Sequence, residues 1–364
     1  MNLINVDSND AVHLAMDKVH RSDFLCLTAD PSEAGGSTEP DVSSFVVSDK
    51  DVVAETLRLS NLAPGMSILE IGTGSGYSTA LTYELVRPTG RVHSIEYDSQ
   101  LATTASEKLN QRYADPQHLT IRTGDAFGSI DLPDHSVDRV IVTVATPAIG
   151  PDWLRVLKPD GQIICPLDLA NHHKLVRLRR INSVTLKSSE CIDCRFVPVS
   201  GIMENSRSIN AMSKGTYFYS HSSPPESLLM QIKASGWRVA ASMEPLSPTE
   251  YRAFRFYCNL VDPSVFGLLV EERFEPKRNS EGTSPGFRLE LVGHDDAGIM
   301  LMRRNGSVLV VGNGDNLAST LQAYYAQWRD LGSPYQTDVA VVASLDATAH
   351  WTFNVEPSFP KDRP

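Results

Sequence analysis

The residues with the plainest chemical purpose lie in one run, Leu69-Glu70-Ile71-Gly72-Thr73-Gly74-Ser75-Gly76-Tyr77, where an apolar stretch ends in an acid and three glycines at alternate positions. Glycine has no Cβ, so such a run turns sharply and lets a ligand approach the main chain. A helix beginning there offers unpaired N–H groups and the positive end of its dipole, which suit a ligand carboxylate. The Gly-x-Gly-x-Gly spacing differs from the Gly-x-Gly-x-x-Gly that seats a pyrophosphate in dinucleotide binders. Two further acids follow. Glu96, beside Tyr97, closes the apolar stretch 91–96, and an acid at the tip of a second strand accepts from ribose hydroxyls. Asp125, in Gly124-Asp125-Ala126, is placed after a third such stretch to accept from an adenine amino group. Taken singly, Glu70 reads as a helix cap, Glu96 as a solvated strand end and Gly124-Asp125 as a turn.

Taken in order, a carboxylate seat, a ribose acceptor and an adenine acceptor describe S-adenosyl-L-methionine. The candidate cofactor residues are Glu70, Gly72, Thr73, Gly74, Ser75, Gly76, Tyr77, Glu96, Tyr97, Gly124, Asp125, Ala126 and Thr143. They need a scaffold of strand tips. Strands read at 67–71, 91–96, 119–122, 137–144, 162–166 and 174–179 alternate with helices read at 78–86, 99–112 and 151–157. Each right-handed crossover between parallel strands uses a helix to return the chain, so the pattern predicts an α/β fold with a Rossmann-like, doubly wound parallel sheet. Helices at 8–20 and 48–62 precede it, the second with a Ser48-x-x-Asp51 capping signal, and Lys158-Pro159-Asp160-Gly161 closes the third crossover helix. The Ser/Gly-rich stretch 31–40 reads as a loop.

After about Gly201 the rhythm changes. A polar, Gly/Pro-rich stretch at 273–285 reads as a loop, and Asn305-Gly306 between apolar runs 298–302 and 307–311 reads as a hairpin turn. A helix over 317–331 has Leu317, Leu321, Tyr324, Trp328 and Leu331 on one face, and 338–345 reads as a strand. These features predict two domains, 1–203 and a C-terminal α+β domain over 204–364.

The chain of 364 residues is 41% hydrophobic and 21% charged, with a formal charge of -11. Composition of this kind folds into globular units, and the net charge repels nucleic acid. No apolar stretch is long enough for a bilayer, and the first residues lack the pattern of a secretory signal. Five cysteines fit a reducing cytoplasm. Cys191-Ile192-Asp193-Cys194 has no second half with zinc-site spacing, so no metal is expected. Arg177 and Arg179 alternate onto one strand face, read as solvated.

Over residues 10–203 the chain resembles the protein-L-isoaspartate O-methyltransferase family. The resemblance rests on Val19-His20-Arg21-Ser22-Asp23-Phe24-Leu25, Phe45-Val46-Val47-Ser48, Leu69 to Tyr77, Ser94-Ile95-Glu96, Gly124-Asp125, Val142-Thr143-Val144-Ala145-Thr146-Pro147, Leu157-Lys158-Pro159-Asp160-Gly161 and Arg195-Phe196-Val197-Pro198-Val199. It implies methyl transfer from S-adenosyl-L-methionine to a side-chain carboxylate of a peptide or protein, leaving S-adenosyl-L-homocysteine. It places Ser48 beside the transferring methyl, with Val144, Ala145 and Thr146 supplying backbone donors to the acceptor. The family's Gly-Gln-Thr-Ile-Ser-x-Pro approach is replaced here by Ser43-Ser44-Phe45-Val46-Val47-Ser48-Asp49-Lys50, so the acceptor pocket is expected to differ. A carboxylate is ionised near neutrality, so transfer needs no general base, and no His/Asp or Cys/His set lies near the glycine run. The ester formed can collapse to a succinimide. The resemblance does not reach the residues beyond 203; an extra C-terminal domain there looks like the branch that tailors ribosomally made precursor peptides. The alternatives are a housekeeping repair enzyme, a tRNA adenine methyltransferase, and a protein that binds the cofactor without turnover.

Overall fold

A computed structural model of the chain describes residues 8–24, 49–113, 118–169, 172–194, 196, 199, 208–213, 216–220, 236–262, 265–276, 283–334, 339–346 and 351–357. They divide into two compact units. The first comprises Met1–Asp168, His173–Asn205 and Ala340–Asn354; the second comprises Leu169–His172, Ser206–Val339 and Val355–Pro364.

The first unit begins with α1 (Ser8–Lys18), a 3-10 turn (Arg21–Phe24) and α2 (Lys50–Ser60). The expected Ser48 cap is not the one used: Asp49 is the N-cap of α2, its Oδ1 accepting from Asp51 N at 2.8 Å. There follow β1 (Ser67–Ile71), α3 (Tyr77–Val86), β2 (Arg91–Glu96), α4 (Ser99–Arg112), β3 (Leu119–Thr123), β4 (Val137–Val142), α5 (Pro151–Val156), β5 (Leu157–Leu169), β6 (His172–Asn182) and β7 (Thr185–Asp193). Parallel pairing joins β3 to β2, β2 to β1, β1 to β4 and β4 to β5. The order β3-β2-β1-β4-β5 makes the chain reverse between β1 and β4, and the crevice beyond the carboxyl ends of such a pair is where open α/β sheets hold ligands.

Ile68, Leu69, Val140, Ile141 and Val142 have no exposed surface. Such near-continuous apolar runs are what strands covered on both faces require. In α3 the residues Thr79, Ala80, Leu81 and Thr82 are equally buried, so this helix sits inside the unit and carries almost no polar face. Its partners include Val12, Val19, Leu57, Leu109 and Ile141.

Strand β4 stops at Val142, two residues short of the expected end, although Thr143 N still donates to Ile71 O at 2.9 Å beside the Ile71–Val142 pair. Lys158 to Gly161 do not close α5 but bulge within β5: Val137 pairs with Leu157 and Arg139 with Gln162. Arg177 is half-buried and paired with Glu190, not solvated; Arg179 is exposed.

Beyond β5 the sheet continues as β6 and β7, antiparallel to each other, and then β15 (Val339–Leu345) and β16 (Trp351–Pro357), giving nine strands. The chain therefore returns to the first unit near residue 340, which a single change at 203/204 leaves out.

The second unit contains a seven-stranded sheet in the order β10 (Arg238–Ser242), β14 (Ser307–Gly312), β13 (Gly298–Met302), β12 (Thr283–His294), β11 (Phe266–Pro276), β9 (Thr216–Ser220) and β8 (Ser208–Ser213). Helices α6 (Pro248–Val261) and α7 (Asp315–Asp330) pack on it, with Phe254, Phe266, Trp328, Met300 and Val308 in the core. The unit is α+β, as expected. The stretch 273–285 is not simply a loop: Arg273 pairs with Gly286 and Pro276 with Thr283 in a long antiparallel ribbon. Leu331 lies past the end of α7 and is 46% exposed, so it is not part of that helix's buried face. No helix among the described residues is long and apolar enough to cross a membrane.

Candidate cofactor and acceptor site

Everything in the candidate site follows from how the glycine run leaves β1. Gly72, Gly74 and Gly76 have φ of 90°, 54° and 88°, a region that side-chain-bearing residues avoid. At Gly72 the need is doubled, because a Cβ there would lie 2.5 Å from Thr143 Oγ1. Thr143 locks this turn, donating through its hydroxyl to Gly72 O at 2.5 Å, while Gly72 N donates to Ile95 O at 2.8 Å. The tips of β1, β2 and β4 are thus stitched together around one turn. Gly76 N donates to Thr73 O at 3.0 Å and the residue caps α3, whose first N–H groups face the crevice end of the sheet.

Glu96 ends β2 and is 8% exposed. Its Oε2 accepts from Gly74 N at 2.8 Å and its Oε1 from Asp98 N at 3.1 Å. A carboxylate oxygen accepts more than one hydrogen bond, so both oxygens keep capacity for a ligand hydroxyl. Tyr97 beside it is 56% exposed. Gly124 N donates to Glu96 O at 2.9 Å, which sets the next tip alongside, and Asp125 Oδ1 accepts from Phe127 N at 2.8 Å. Below Gly124 and Asp125 lies a cavity of about 280 Å³ against the sheet face, bounded by His93, Ile95, Thr120 and Arg122 and by the loop from Gly128 to Leu132. Burial, with the neighbouring Arg122 and Arg91 charges, holds the His93 imidazole below its usual pKa.

Glu70 serves the site from beneath. It has no exposed surface, and its Oε2 accepts from Thr79 Oγ1 at 2.5 Å and from Ser94 Oγ at 2.7 Å. Thr73 Oγ1 lies 2.6 Å from Ser94 Oγ. Since Ser94 gives its proton to Glu70, Thr73 is the donor, and the chain Thr73-Ser94-Glu70-Thr79 ties the glycine turn to β2 and α3. Among the described residues Glu70 Oε1 is buried without a hydrogen bond, with the Ser78 hydroxyl near enough to favour the ionised carboxylate. Burial raises the carboxyl pKa to about 7, against the lowering effect of the hydroxyls. Thr79 is not singled out by the sequence and Ser94 only as part of the Ser94-Ile95-Glu96 stretch, although a hydroxyl inside an otherwise buried strand or helix is itself a signal of a polar partner. Tyr77 is 4% exposed, packed on Phe24 at 5.9 Å, and Ser75 and Ala126 are also buried.

On the acceptor side, Val144 is half-buried and Ala145 buried, with Ala145 O accepting from Val199 N at 2.8 Å. Thr146 does not fit the donor role expected of it. It has no exposed surface, its N–H donates to Pro166 O at 2.9 Å and its hydroxyl to Ala148 O at 2.7 Å. Backbone satisfaction wins over ligand contact at that position. Ser48 lies outside the described residues.

A glycine turn at the reversal point of a β3-β2-β1-β4-β5 sheet, with Glu96 and Asp125 at the two next tips, defines a class I S-adenosylmethionine-dependent methyltransferase. The family model described as protein-L-isoaspartate(D-aspartate) O-methyltransferase matches residues 2–204, more than half of the chain. The protein belongs to that family and is an S-adenosylmethionine-dependent O-methyltransferase. Among its relatives, protein-L-isoaspartate O-methyltransferase 1 of Polaromonas sp. is 32% identical over 50% of this chain and 75% of its own. Protein-L-isoaspartate O-methyltransferase 2 of Rhodopseudomonas palustris is 33% identical over 52% of this chain and 85% of its own. A solved structure named protein-L-isoaspartate O-methyltransferase shares the fold, with a TM-score of 0.51 and 16% identity over 96% of this chain and 95% of that one.

Proposed function

We propose that the protein methylates the side-chain carboxylate of an isoaspartyl or aspartyl residue in a peptide or protein. The reading rests on one observation above the others: the Thr143 turn, from which the acceptor-side residues follow, is bonded to Gly72 O in the cofactor turn, so acceptor and methyl donor share one wall. A carboxylate oxygen attacks the methyl carbon of the sulfonium; the new O–CH3 bond forms as the S–CH3 bond breaks, and the electron pair goes to sulfur, giving S-adenosyl-L-homocysteine. No proton moves. The protein's task is to hold the two reactants in line and exclude water.

In this reading the α3 N-terminus takes the methionine carboxylate, Glu96 the ribose and Asp125 the adenine amino group. Val144 is half-buried in the acceptor turn, and the family resemblance assigns Ser48 to the acceptor. Glu70, Thr73 and Tyr77 support the cofactor through the turn and α3. The altered approach at residues 43–50 favours a dedicated acceptor, and we infer a ribosomally made precursor peptide recognised with the help of the second unit.

The test uses matched isoaspartyl and aspartyl peptides beside the precursor encoded nearest the gene. Methylation confined to the precursor supports tailoring, and efficient methylation of the generic isoaspartyl peptide replaces it with repair.

A further inference from the structure

The short helix α5 does more than join β4 to β5. It holds the loop that carries Asp125 at both ends and in the middle. Trp153, with no exposed surface, donates from Nε1 to Ala126 O at 2.8 Å, and its ring lies 5.1 Å from that of Phe127. Asp152 Oδ2 accepts from Ile130 N at 2.7 Å. Arg155 donates to Ile130 O at 2.6 Å, to Leu132 O at 2.8 Å and to Asp134 Oδ1 at 2.7 Å, and it is paired with Asp152 at 2.8 Å. His135 N returns a bond to Arg155 O at 3.0 Å. Between Asp125 and Val137 the chain has no helix or strand, so these side chains replace the regular backbone bonds that would otherwise fix it. The same loop forms the outer wall of the cavity beneath Asp125.

At its N-terminus α5 follows the acceptor turn along the chain. It starts five residues after Thr146, Trp153 N donates to the N-cap Gly150 O at 3.1 Å, and a Cβ on Gly150 would meet the Trp153 ring at 2.6 Å.

We propose that Trp153, Asp152 and Arg155 are positioning residues for cofactor binding: they act through the 125–134 loop and touch neither substrate nor cofactor. The proposal rests on the assignment of Asp125 to the adenine amino group, and the experiment separates the two. The dissociation constant of S-adenosyl-L-homocysteine is measured by calorimetry on the full chain for wild type, Trp153→Phe, Arg155→Gln and Asp125→Asn. Melting temperature and the KM for the methyl donor accompany it. Trp153→Phe leaves a buried carbonyl without its donor and loosens the loop, so affinity falls about tenfold, which is about 1.4 kcal/mol. Arg155→Gln lowers affinity similarly with the loop's three anchors gone. In both, kcat at saturating donor stays within about twofold and donor KM rises, the split expected when only binding is lost.

Unchanged affinity in Trp153→Phe and Arg155→Gln, with affinity lost in Asp125→Asn, overturns the positioning role and leaves the adenine assignment standing. Unchanged affinity in Asp125→Asn overturns the assignment itself. A fall in melting temperature with no change in affinity shows α5 to be structural only and likewise overturns the proposal.

Discussion

Replacing Glu70 by Gln tests the polar chain under the glycine turn through a property that can be worked out in advance. The folded-state pKa of Glu70 is raised from 4.5 to about 7 by burial. The folded protein therefore binds the Glu70 proton more tightly than the unfolded chain does, and stability falls as pH rises through the window between those values. At 1.36 kcal/mol per unit, the full penalty is about 3 kcal/mol, and about 2 kcal/mol of it develops between about pH 5.5 and 8. Gln keeps an oxygen for the Thr79 and Ser94 hydroxyls and carries no charge to desolvate. The urea midpoint of the cofactor-free protein, followed against pH, should decline in the wild type over that window. In Glu70→Gln that part of the decline should vanish, and the variant should be the more stable of the two at pH 8. Its NH2 must occupy the buried Oε1 position, which makes no hydrogen bond among the described residues, and this reduces the gain without changing the pH trend. Parallel pH curves for the two proteins would refute the argument, since they would mean that Glu70 titrates at the same pH in both states.

Gly72→Ala places a Cβ 2.5 Å from Thr143 Oγ1 in a left-handed backbone; cofactor affinity should fall by more than about tenfold and melting should drop, both measurable on the purified protein. Glu96→Gln keeps the shape of the β2 tip but weakens acceptance from ribose hydroxyls and from Gly74 N, so S-adenosylhomocysteine should bind about 10- to 100-fold more weakly by calorimetry. In the second unit, Tyr251→Phe removes a buried hydroxyl that lies 2.7 Å from Glu290 Oε2 and accepts from Leu291 N at 3.0 Å. That unit should lose about 1–3 kcal/mol of stability by urea unfolding, with cofactor affinity unchanged.

The cofactor side was legible because its chemistry is local. Gly72, Gly74 and Gly76 announce a turn that other residues avoid, and Glu96 and Asp125 announce themselves as acids ending apolar runs. What links distant stretches was not legible. Nothing near Thr143 says that its hydroxyl will reach Gly72 O, and nothing near Thr146 says that Pro166 O will take its amide. The ion pair of Asp152 and Arg155 reads locally as an i,i+3 pair on a short helix; only the fold shows that it also holds residues 130–134. One missed element did carry a local signal. Ser247-Pro248-Thr249-Glu250 is a capping box, with Glu250 N donating to Ser247 Oγ at 3.2 Å and Ser247 N to Glu250 Oε2 at 3.0 Å, and it starts α6. The ribbon of β11 and β12 was obscured by its polar composition, because antiparallel strands can pair with polar residues on an open face. The return of β15 to the first sheet depends on tertiary pairing, in which Val342 meets Lys187, and no local pattern specifies which sheet a strand joins.

Methyl transfer to a carboxylate leaves a base-labile ester, so the fate of the methyl group itself distinguishes it from transfer to nitrogen or carbon. The purified protein is incubated with S-adenosylmethionine carrying a labelled methyl and an isoaspartyl peptide or the neighbouring precursor, and the product is treated with mild base. The account predicts that the peptide gains one labelled methyl, that base releases it as labelled methanol, and that the peptide passes through a succinimide. Label that stays on the product through base treatment would place the methyl on nitrogen or carbon and contradict the account, as would formation of S-adenosylhomocysteine with no label in either peptide.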